Sequence, residues 1–149
     1  MRKYFYLVEF KRFIKKLNYE ACLDLGIFST KNNASKKIMM SKDLNGFRNY
    51  SIDNFQVTKF GVDFDIELLN KTEVILYCVL HEYEDENEQF TNWCVFDYCD
   101  TLKRAQNKID YLKKHSRIGK KHPNNFDIIE IKVDNFNSWS EGFDELNKN

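Results

Sequence analysis

One proline and five glycines in 149 residues leave little material for linkers, so the chain is neither collagen-like nor a string of flexible spacers. Its four cysteines, Cys22, Cys78, Cys94 and Cys99, include no C-x-x-C pair. With no secretion signal in view they read as free thiols of a reducing cytoplasm. Long apolar runs are missing too. The opening stretch MRKYFYLVEFKRF is broken by Glu9, Lys11 and Arg12, too soon for a membrane span and in the wrong pattern for a signal peptide. A first β-strand, a cytoplasmic location and no membrane partner are the expectations. Net charge is lacking as well, with 23 basic against 23 acidic residues, which argues against a uniformly basic nucleic-acid binder. There is no Gly-rich phosphate loop, no G-x-S-x-G and no S-x-x-K, so neither a cofactor nor an enzymatic activity is expected.

What the chain does have is apolar material, 42% of it, including 13 Phe, 8 Tyr and 2 Trp. That suffices for a packed core and argues against disorder. The length fits one compact domain or two very small ones. Charge is arranged in blocks: residues 1–42 carry +7, 43–101 carry −10, 102–122 carry +7 and 123–149 carry −4. Such alternation makes charged faces on a globule.

Sliding the sequence against itself by 71 positions aligns eleven identities: Tyr6/Tyr77, Val8/Val79, Thr30/Thr101, Ala34/Ala105, Lys37/Lys108, Ile38/Ile109, Lys42/Lys113, Asn54/Asn125, Phe55/Phe126, Val62/Val133 and Asp63/Asp134. They fall at equivalent points of the same series of elements, which points to a tandem duplication. The first element is extended and apolar on both faces, KYFYLVEF at 3–10 and EVILYCVLHEY at 73–83, as a central strand requires. A polar loop follows, KRFIKKLNYEAC or EDENEQFTN, then a second strand, LDLGIFS or WCVFDYC. A helix comes next, with Ser29 or Thr30 and Asp100 or Thr101 as its N-caps. Its apolar face holds Ala34 and Ile38, or Ala105, Ile109 and Leu112; its outer face is assigned Lys36, Lys37 and Lys42 in the first copy. A last strand, FQVTKFGVD or FDIIEIKVD, closes each copy. The fold class is therefore α+β: two pseudo-symmetric β-β-α-β repeats, 1–70 and 71–149, the second with a Trp-containing tail. Each forms an antiparallel sheet of order 2-1-3 with one covering helix, and the two together form one compact unit. An uncovered sheet face would favour a homodimer.

His81 and Tyr83 at the end of the opening strand, Ala105 in the capped helix, Val133 and Asp134 at the closing strand, and Trp139, Glu141, Gly142 and Phe143 in the tail resemble a family of small uncharacterised domains of bacteria and their phages. The resemblance covers roughly residues 74–143 and is absent from the first copy, where Phe10 replaces the His and no Trp-x-Glu-Gly-Phe follows Asp63. It implies the β-β-α-β fold and brings no established activity.

Several constellations bear on chemistry. Glu130 and Lys132 share one strand face, and E-x-K with an upstream Asp (Asp97, Asp100 or Asp110) is the core of many metal-dependent nucleases. That core uses adjacent strands, whereas here a helix intervenes and the first copy has Thr58 and Phe60. The pair reads instead as a cross-strand charge pair. His81, Cys94, Cys99, His115 and His122 show no zinc spacing, so no metal is expected. DENEQ at 85–89 lacks the glycine and the terminal glutamate of a calcium loop. The acidic segment Glu82, Glu84, Asp85, Glu86 and Glu88, flanked by Tyr83, Phe90 and Trp93, suits a dock for a basic partner. The basic segment Lys103, Arg104, Lys108, Lys113, Lys114, Arg117, Lys120 and Lys121, with Tyr111 for stacking, is the alternative surface, for nucleic acid. A cleft between repeats holding a small ligand such as a signalling nucleotide is a third. The leading expectation is a non-enzymatic inhibitor-type protein, of the toxin-immunity or phage counter-defence kind, with a protein partner met by the acidic segment.

Overall fold

The computed structural model describes residues 1–84 and 91–145. It holds nine main elements: β1 (Arg2–Ile14), β2 (Tyr19–Phe28), α1 (Lys31–Ser41), β3 (Phe55–Asp63), β4 (Ile75–Glu84), β5 (Thr91–Cys99), α2 (Leu102–His115), α3 (Arg117–Lys121) and β6 (Phe126–Lys132). They form two three-stranded antiparallel sheets, β2-β1-β3 and β5-β4-β6. The fold is α+β with two similar β-β-α-β repeats, the opening strand central in each.

The repeats match in detail. Thr30 and Thr101 both take extended backbone and accept a hydrogen bond from the amide three residues on, Asn33 and Arg104, satisfying a helix N-terminus that would otherwise be orphaned. Each hairpin slips register at the same place, between Val8 and Glu9 and between Val79 and Leu80. The extra residues are Leu25 and Phe96, again 71 apart, and both turn toward their helix-side cores. The bulge re-aims a large side chain inward at the cost of one ladder position.

By contacts the chain divides into two compact units. One comprises Tyr4–Gly61 and the segment from Val133 onward. Its core packs Val8, Phe10, Leu25 and Phe28 of the sheet beneath Ala34 of α1, with Phe47, Phe55 and Phe143. Phe10 is the hub, lying 4.9 Å from Phe47 edge-on and 5.0 Å from Phe55. The segment after β6 is tied down at several points. Asp134 accepts from the Ser29 amide and from Asn33 Nδ2, Phe143 N–H donates to the Asn45 carbonyl, and Arg12 pairs with Glu145 at 2.6 Å. Trp139 donates its indole N–H to the Asp24 carbonyl of β2.

The other unit comprises Met1–Lys3 and Val62–Lys132. Val79 and Cys99 pack beneath Ala105 and Leu112 of α2, flanked by Tyr77, Phe96, Ile109, Phe126 and Ile128. Here too the segment after a third strand is held at a helix start. The Asp65 amide donates to Asp100 Oδ2, and Arg104 of α2 donates to the Asp63 carbonyl.

Two expectations need correcting, and one element is added. Most of the polar stretch KRFIKKLNYEAC is strand, not loop: Phe13 pairs with Glu20 and Ile14 with Tyr19, and only Lys15–Asn18 turn. Ladder hydrogen bonds outweigh the polarity of exposed ribbon side chains. Lys37 does not lie on the outer face of α1; it is 1% exposed and donates to the Phe136 carbonyl at 2.9 Å and to that of Ser138. The basic stretch after α2 also carries the short helix α3, started by Ser116, which accepts from the Gly119 amide and donates back to the Leu112 carbonyl.

Candidate partner-binding surface

Residues opposite one another in antiparallel strands share a face. On the face of the β5-β4-β6 sheet turned away from α2, three rows therefore cross the strands: Trp93 beside Glu82, then Val95–Leu80–Asp127, then Tyr98–Cys78–Ile129. Trp93 is 62% exposed, Val95 and Ile129 are also exposed, and Leu80 is half-buried. Glu82, Glu84 and Asp127 stand exposed around this apolar strip. Beside it an open hollow of about 590 Å³ is lined by Glu82, Glu84 and Asp127 with the amides Asn124 and Asn125. The arrangement is an apolar centre under a rim of carboxylates.

The sequence-derived acidic set is divided by this geometry. Glu82, Glu84 and Trp93 come together on one face. Tyr83 points to the other, where its ring stacks on His122 with centroids 4.3 Å apart. Asp85, Glu86 and Glu88 lie outside the described residues, as does Phe90. Val95, Leu80, Ile129 and Asp127 were not singled out from sequence, because only strand register places them beside Trp93.

The basic set sits on α2 and α3, with Lys103, Lys113, Lys114, Arg117, Lys120 and Lys121 exposed. Arg104 is engaged by the buried Asp100 at 3.0 Å, and Lys108 lies 3.7 Å from Asp97. Tyr111, the candidate stacking ring, is already flanked by His115 at 4.5 Å and Lys108 at 5.7 Å.

The remaining candidates do not assemble. Lys132 pairs with Glu73, Asp97 with Lys108, and Asp100 with Arg104, which disperses the partners an E-x-K site would need. His81 is fully buried and its Nε2 donates to the His122 carbonyl at 2.9 Å, which fixes Nε2 as the protonated nitrogen. Among the described residues no three His, Cys, Asp or Glu side chains converge on a metal position. Burial, then Asp97 and Asp100, pushes the Cys99 thiol up to about 11, so it is not an activated nucleophile.

No helix among the described residues is long and apolar enough to cross a membrane. Comparison with protein-family models, curated proteins and solved structures finds no match to this chain.

Proposed function

We propose that the protein is a non-enzymatic binding protein of the inhibitor type, a toxin-immunity or phage counter-defence factor, whose acid-rimmed apolar face covers a basic functional surface of a protein partner. The observation that carries this reading is Trp93. A side chain of that size left 62% exposed, on one sheet face with Glu82, Val95 and Leu80, is a ready hot spot, and such aromatic anchors supply most of an interface's affinity. The carboxylates around it accelerate encounter with a basic surface. The resemblance of residues 74–143 to bacterial and phage domains supports the biological setting by analogy alone.

The test captures bound material from the native host at moderate salt, using the wild-type chain and two variants. Trp93→Ala is expected to weaken a stoichiometric protein complex by about 30-fold or more. The double change Glu82→Lys with Glu84→Lys slows association by about tenfold and weakens its salt dependence. Both variants should melt as wild type does. A protein complex that both variants retain unchanged sinks this surface. The second reading, nucleic-acid binding, rests on the exposed cations Lys103, Lys113, Lys114, Arg117, Lys120 and Lys121 of α2 and α3; nucleic acid in the eluate, released steeply by salt and lost on Lys113→Glu with Lys114→Glu, would replace the first.

A further inference from the structure

The β1–β2 hairpin ends in a feature that the acid-rimmed face does not explain. Phe13 is 59% exposed, Leu17 60% and Tyr19 50%, three large apolar side chains within seven residues of one another. Strand pairing sets their directions. Phe13 shares a ribbon face with Glu20, while Tyr19 shares the opposite face with Ile14. Leu17 ends the 3₁₀ turn Lys15–Leu17, closed by Asn18 in the left-handed region at φ 47°. The tip is thus apolar on both faces and at its end. Lys15 and Lys16 are exposed at the turn itself and Lys11 is half-buried just below, against Glu20 as the one acid. Arg12 is turned inward to Glu145 and Tyr50, and Asn54 Nδ2 holds the Lys11 carbonyl at 2.8 Å, so the ribbon below the tip is anchored.

We propose that this tip is a peripheral membrane contact, inserting Phe13, Leu17 and Tyr19 into the interface of a bilayer rich in anionic lipid. The geometry selects the occupant. A flat protein surface covers one side of a two-stranded ribbon and leaves the other wet. Single-stranded nucleic acid stacks on rings that share a face, whereas Phe13 and Tyr19 do not, and Leu17 offers no ring. A lipid interface surrounds the whole tip and desolvates all three side chains together. The lysines meet negatively charged headgroups. With only three inserting side chains, attachment is reversible. This inference departs from the expectation of no membrane partner, which rested on signal and spanning patterns and not on hairpin tips, and it stands independently of the partner-binding reading.

The test is co-sedimentation of the full chain with phosphatidylcholine vesicles, with and without phosphatidylglycerol. Binding to the anionic vesicles alone is expected, falling with added salt. Phe13→Ser with Leu17→Ser lowers that partition by about tenfold or more, as does Lys15→Glu with Lys16→Glu, each with an unchanged melting curve because the residues are exposed. Lys113→Glu with Lys114→Glu leaves it unchanged. Leu17→Trp gives an insertion signal at the tip itself, a blue shift on anionic vesicles. No vesicle binding, binding that the Phe13→Ser, Leu17→Ser variant retains, an unshifted Leu17→Trp spectrum, or a tip that instead binds oligonucleotide would each overturn the proposal.

Discussion

Lys37 shows how a single residue can escape a correct reading of its element. The identity with Lys108 and the helical spacing are real, and Lys108 does lie at the rim of its helix beside Asp97. Lys37 is enclosed because the carbonyls of Phe136 and Ser138 reach its ammonium group from a hundred residues away, and nothing local in the sequence announces them. Lys37→Ala strands both acceptors in a buried site and should cost about 3 kcal/mol, measured by urea unfolding. Cys22 supports a second prediction at this scale. Its thiol donates to Glu9 Oε2 at 3.1 Å, and burial, followed by that hydrogen bond and the Glu9 charge, pushes it from 9.0 up to about 12. The unfolded chain releases this proton first, so its stabilising contribution is complete below pH 9.0 and is lost as pH climbs toward 12. Cys22→Ala should flatten the alkaline decline of stability, followed by denaturation at stepped pH, and iodoacetamide at pH 8 should label Cys22 far more slowly than free cysteine.

Among the elements, the six strands and the helices α1 and α2 are legible in the sequence, whereas the short helix α3 and the connections are not. Two apolar faces identify β1 and β4 as central, and the pairs Ser29/Thr30 and Asp100/Thr101 mark both helix starts to within a residue, because these signals are local; the structure selects Thr30 and Thr101. The strand ends on either side of the β1–β2 turn are hidden in the sequence because charged and apolar residues come in pairs there, Lys11-Arg12, Phe13-Ile14 and Lys15-Lys16, which masks the period of two. The segment 133–145 stands out by its Trp-x-Glu-Gly-Phe pattern, but its docking site is not legible in the sequence, because that depends on distant partners. Its end is tightly fitted. Gly142 adopts φ 78°, and a Cβ there would collide with the Asn45 backbone, so Gly142→Ala should cost about 2 kcal/mol. Phe143 packs edge-on against Phe47 at 4.9 Å, and Phe143→Ala should cost about 4 kcal/mol. Thermal melts of the two variants check both figures.

At the scale of the whole molecule, the two repeats share a scaffold and differ in their surfaces. The β1–β2 hairpin carries lysines and the equivalent β4–β5 hairpin carries Glu82 and Glu84. Glu82, Glu84 and Trp93 are visible in the sequence, but the face that joins them to Leu80, Val95 and Ile129 exists only once three strands are in register. Because that face is exposed, Trp93→Ala should change folding stability by no more than about 0.5 kcal/mol, so calorimetric melting can separate its loss of binding from any loss of fold. The first core also draws on both early and late sequence: Phe10 and Phe47 wait for Phe143. During synthesis the ribosome must add the intervening residues before that core can close, a delay on the order of ten seconds. Until then Phe10 and Phe47 lack the Phe143 ring that completes their packing.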